Sequence, residues 1–95
     1  MSFTEFERSL SLTTPPAEIS SALLGLWHDA RGDWTRAHQC VQDDATPEGA
    51  WVHAYLHRKE EDEGNAAYWY GRAGRPVATG PLEDEWRSVA QALVA

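Results

Sequence analysis

The chain has a single cysteine, Cys40, among its 95 residues. No intrachain disulfide can form, and a reducing compartment suits such a chain. No apolar run reaches the ~18–20 residues of a membrane-spanning helix. Basic residues are scarce, eight against fifteen acidic ones, for a formal net charge of -7. Phosphate backbones and anionic headgroups are held by clusters of Lys and Arg, and none is present. Nucleic acid and membrane surfaces are therefore not expected as partners. The opening Met1-Ser2-Phe3-Thr4-Glu5 lacks a basic stretch followed by an apolar one, so no secretory signal is expected, and a cytoplasmic location is. A Ser-centred elbow, a phosphate-cradling glycine loop and a dinucleotide fingerprint are all missing. No stretch alternates as a half-buried strand would.

What is present is apolar and aromatic. Hydrophobic residues make up 42% of the chain, enough for a core, and five of them are Trp. Large rings supply much burial per residue, which helps a domain this small.

The periodicity predicts an all-α domain of about five helices. Phe3, Phe6 and Leu10 are spaced for one or two helical turns, so residues 1–14 are read as a flexible or partly helical segment. Residues 15–95 form one helical domain. Thr14-Pro15-Pro16 reads as a helix start, followed by an apolar stripe of Ile19, Ala22, Leu23, Leu26, Trp27 and Ala30. Gly32 should end that helix, and Asp33 should cap the next, which carries Trp34, Ala37 and Val41. Thr46-Pro47-Glu48 repeats the start signal for a third helix with Trp51, Val52, Tyr55 and Leu56 on one side. A fourth begins at Gly64-Asn65 and ends at Gly74 and Pro76. After an extended connector at Val77–Pro81, the last helix carries Leu82, Trp86, Val89, Ala90 and Leu93. Short gaps imply two antiparallel helical hairpins with a C-terminal capping helix.

Asp33 and Asp62 lie 29 residues apart, and the same offset sets His28 on His57 and Ala37 on Ala66. Each half then has a long helix, a tight turn with Asp, and a shorter helix with Ala at the close approach. Tetratricopeptide and Sel1 units are built this way, with longer periods. Asn65–Gly74 looks like the second helix of a Sel1 unit. The segments Leu26-Trp27-His28-Asp29, Trp51 to Arg58, Asn65 to Tyr70 and Arg72-Ala73-Gly74 resemble a family of uncharacterised small bacterial proteins with relatives in fungi and plants. The resemblance spans roughly residues 22–76. It implies the helical pairs and no activity. The chain departs from the family pattern at Glu61, where Gly is expected, and at Gly71, where a larger residue is.

His53 and His57 are four apart and share a helix face. Two imidazoles at that spacing can hold zinc or another transition metal. His28, from the first long helix, is the expected third ligand, with Asp29 or Glu60 as a fourth. The zinc-protease pattern is excluded, because Ala54 follows His53 where Glu is required. The leading expectation is a non-enzymatic binding module. Its groove would have a polar floor of His28, Arg31, His53, His57 and Arg58. A small anion, a peptide carboxylate or a protein partner would bind it, since Arg captures carboxylates in bidentate fashion. No cofactor is needed for that role. The alternative is a metal-binding protein or metal-dependent enzyme using His28, His53 and His57.

Tyr68, Trp69 and Tyr70 are consecutive and cannot all face inward. Tyr68 and Trp69, with Arg72, are candidate contacts for a ligand or for a homodimer partner. Cys40 reads as an inert buried thiol. His38 stands two residues from it, too near in sequence to share its face, and is assigned no role.

Overall fold

The computed structural model describes residues 1–94. Among them are six helices and no strand: α1 (Phe3–Ser9), α2 (Ser21–Ala30), α3 (Trp34–Val41), α4 (Pro47–Lys59), α5 (Glu63–Ala73) and α6 (Leu82–Leu93). No helix among the described residues is long and apolar enough to cross a membrane. The helix beyond the expected five is α1. Ser2 and Glu5 close a reciprocal capping box at its start, and Phe6 is fully buried.

One boundary differs from expectation. The helix predicted from Thr14-Pro15 begins only at Ser21, where the Ser20 hydroxyl accepts the Leu23 amide at 3.2 Å. Pro16 disfavours a helical Pro15, and Glu18 adopts φ +63°, which breaks any helix passing through it. Ile19 still packs against the core.

Caps set the remaining starts. Asp33 accepts the Arg36 amide, Thr46 the Gly49 amide, and Asp62 the Asn65 amide. The two Asp-containing turns share one pattern. The Asp33 amide donates to the His28 carbonyl at 3.0 Å, and the Asp62 amide to the His57 carbonyl at 2.9 Å. The preceding residues, Gly32 and Glu61, are left-handed at φ +82° and +62°. Glu61 therefore carries a side chain at a position where glycine would be strain-free.

Tryptophans join the helices. Their rings sit against the core, and three indole N–H groups donate to a carbonyl of another element. Trp27 of α2 reaches Ser9 at the end of α1, at 3.3 Å. Trp34 of α3 reaches Leu56 of α4 at 2.9 Å. Trp86 of α6 reaches Leu26 of α2 at 3.0 Å. Each such bond satisfies a buried or half-buried donor and fixes the spacing of two helices. The main core is built from Phe6, Leu23, Leu26, Trp27, Val41, Val52, Leu56 and Val89, among others. Where α2 meets α3, Gly25 lets the backbones close. A Cβ there would stand 3.2 Å from a Val41 methyl and 3.3 Å from the Ala37 carbonyl oxygen. A second, smaller cluster of Ala54, Ala66 and Tyr70 joins α4 to α5.

Candidate metal centre of three imidazoles

α3 and α4 together bring three histidines to one place. His38, His53 and His57 each offer a ring nitrogen, and these atoms lie within 4.8 Å of one another. The Nε2 atoms of His38 and His53 are 3.1 Å apart. The origin of this is local. His53 and His57, one turn apart on α4, stack with ring centroids 4.9 Å apart at 24°. His38 meets both edge-on, with centroids at 4.7 and 5.3 Å.

Two tryptophans enclose the group. Trp34, one turn before His38 on α3, stacks on it at 5.0 Å and 10°. Trp69 of α5 stacks on His53 at 4.0 Å and 15°. His53 is 97% buried by residue, with 3% relative exposure, and its Nδ1 has no hydrogen-bond partner. The Nδ1 of His57 is likewise buried and unpartnered. Burial is the main force lowering the His53 pKa, to about 4, and the neighbouring His38 and His57 add to it. Burial also lowers the His38 pKa, followed by the charge on His57. Both rings are therefore neutral at pH 7, the state in which imidazole ligates a metal.

The expected third histidine is elsewhere. His28 packs edge-on against Trp27 at 5.1 Å and lines a separate cavity of about 240 Å³ with Thr13, Arg31, Asp33 and Arg36. The structure therefore groups His53 and His57 with His38 and leaves His28 out. His38 has a sequence signal of its own. It lies four residues after Trp34, and the pair shares one face of α3 as His53 and His57 share one of α4.

The arginines of the expected groove are also dispersed. Arg58 donates from Nη1 to Glu85 Oε1 at 2.9 Å and from Nη2 to the Gly80 carbonyl. Glu85, buried in the first turn of α6, also accepts the Tyr70 hydroxyl. Arg58 is thus a strut linking α4 to α6. Arg31 donates to the Leu10 carbonyl at 2.6 Å and lies 4.6 Å over the Trp27 ring. Arg72 donates to the Tyr68 hydroxyl at 2.9 Å and lies 5.6 Å from the Trp69 ring centre. Tyr68 is 55% exposed, while Trp69 is half-buried by its stack on His53. Asp29 and Glu60 do not join the three imidazoles.

A larger cavity, about 600 Å³, is lined by Asp29, Tyr55, Lys59, Leu82, Trp86 and others, away from the imidazoles. Its buried carboxylate is already satisfied. Asp29 accepts the Tyr55 hydroxyl and the Lys59 ammonium, each at 3.0 Å. Burial and the Asp29 charge push the Tyr55 phenol pKa upward, so it stays a donor. Cys40 is half-buried, and burial raises its thiol pKa, which keeps it unreactive.

Comparison with protein-family models, with curated proteins and with solved structures finds no match to this chain.

Proposed function

We propose that this chain is a metal-binding helical module whose ligands are His38, His53 and His57, with Zn²⁺ as the ion. The observation that carries this is the convergence of three imidazole nitrogens within 4.8 Å. In a tetrahedral zinc site with Zn–N of about 2.0–2.1 Å, ligand nitrogens stand about 3.3 Å apart. The His38–His53 pair, at 3.1 Å, already has that spacing. The widest pair needs to close by about 1.5 Å to reach it, which small rotations of the rings supply. Two neutral, largely buried rings need no proton displaced at pH 7.

Among the described residues, no Cys, Asp or Glu completes the group. A fourth coordination position is thereby left to water or to an oxygen donor brought by a partner. A small anion or a peptide carboxylate suits that position, so the binding module and the metal site become one function. Catalysis is not required. We also read α2–α3 and α4–α5 as two helical hairpins of the tetratricopeptide or Sel1 kind. The shared Asp turns support this.

The test is calorimetric titration of tag-free protein with zinc. We expect one ion per chain with a Kd in the micromolar range or tighter. His53→Ala should lose binding, and His28→Ala should keep it. No heat and no thermal shift on adding zinc would overturn the proposal. So would equal loss in the His28 variant.

A further inference from the structure

Metal-bound histidines are usually fixed by a hydrogen bond from the ring nitrogen that does not ligate. His57 has the parts for this, slightly apart. Its Nδ1 is buried and has no hydrogen-bond partner. The nearest carboxylate oxygen, Asp62 Oδ2, is 3.9 Å away. That is beyond hydrogen-bond length but close enough for a small ring rotation to close.

The chain places Asp62 there by a specific route. α4 ends at Lys59, and Glu61 takes a left-handed conformation at φ +62°. The chain doubles back, and the Asp62 amide donates to the carbonyl of His57 itself at 2.9 Å. The carboxylate is then anchored from the other side by Asn65. Oδ1 accepts the Asn65 amide at 3.3 Å, and Oδ2 accepts the Asn65 side-chain amide at 2.7 Å. Each oxygen so far accepts one donor, which leaves a lone pair of Oδ2 for a second.

We infer that Asp62 is the positioning residue of the three-imidazole site: it accepts the Nδ1–H of His57 and so commits His57 Nε2 to the metal. This rests on the metal-binding reading above. The same carboxylate caps α5, the helix that carries Trp69. Metal held by His57 is therefore linked through one side chain to the start of the helix that covers the site. His53 lacks such a partner for its own Nδ1, and its orientation is set instead by the Trp69 stack. The equivalent turn at Asp33 faces His28 and serves no imidazole group, so Asp62 alone has this task.

The test is Asp62→Ser. Serine caps a helix as well as aspartate does, but it is too short to reach the imidazole. Two quantities are read: the zinc Kd, and the tautomer of His57 in metal-free protein from its side-chain nitrogen shifts. We expect zinc to bind 10- to 100-fold more weakly in the variant. We expect wild-type His57 to favour the Nδ1–H form, and the variant to shift toward Nε2–H. A zinc Kd within threefold of wild type, or an unchanged tautomer, overturns the inference while metal binding stands. Wild-type protein that takes up no zinc overturns the parent reading instead. If the Ser variant unfolds, Asp62→Asn keeps the cap and an acceptor oxygen but not the charge. It should weaken zinc by a smaller factor, and no weakening overturns the inference.

Discussion

Replacing Arg58 by alanine distinguishes a strut from a ligand-capturing group. The Arg58 side chain is 19% exposed and its partner, Glu85, only 6%. Removing the guanidinium leaves a carboxylate buried with the Tyr70 hydroxyl as its remaining side-chain donor. Breaking a buried ion pair from one side costs about 3–5 kcal/mol. The retained Tyr70 bond places this case near the lower end, at about 3 kcal/mol. A domain of this length has a total stability of roughly 5–14 kcal/mol. The loss is then a fifth of the total or more, and the midpoint of thermal unfolding should fall by about 12–24 °C. Urea unfolding at pH 7, followed by far-UV circular dichroism, reads it. Replacing both partners, as Arg58→Met with Glu85→Leu, should recover most of the loss, because no charge is then left buried. Arg58→Glu sets two carboxylates together and should unfold the chain. A pure anion-binding role predicts unchanged helicity for that variant. An Arg58→Ala change smaller than about 1 kcal/mol, the size of an exposed pair, would refute the strut.

Other outcomes follow from the packing and the titrating groups. Gly71→Ala should stabilise α5 by about 0.5–1 kcal/mol, since a helical glycine costs that much and its Cβ meets nothing within 4 Å. Gly25→Ala should destabilise by about 1–3 kcal/mol, because its Cβ presses on Val41 and the Ala37 carbonyl. Equal effects from the two in urea titrations would count against the close approach of α2 and α3. The His53 pKa lies near 4 in the folded chain, below its ordinary value of 6.5. The unfolded chain therefore binds the extra proton first. Stability should be level above pH 6.5 and fall on acidification from there to about pH 4, by on the order of 3 kcal/mol. His53→Phe should flatten that window. The groups facing His53 are His38 from α3 and His57 on its own helix, while α5 contributes the uncharged Trp69 ring.

Much of the helical layout is legible in the sequence because its signals are local. Asp33, Thr46 and Asp62 cap three helices with their own side chains, and the apolar stripes show which faces turn inward. The start of α2 is not legible in the sequence, because Pro15-Pro16 satisfies the rules for a helix start and equally those for an extended segment. Only the backbone at Glu18 separates the two. The site was half legible. His53 and His57 are visible as neighbours on one helix. Their third partner depends on how α3 lies against α4, which is fixed by the Trp34 bond to Leu56, a contact that no periodicity encodes. The role of Arg58 is hidden for the same reason. Its charge is evident, but its partner Glu85 stands 27 residues further on.

Diffraction at the zinc absorption edge, from crystals grown with one equivalent of zinc, tests the metal site most directly. The expected result is one anomalous peak between α3 and α4, about 2.0–2.1 Å from a nitrogen of each of His38, His53 and His57. A zinc-free cluster, or an ion at His28 and Asp33 instead, would contradict it.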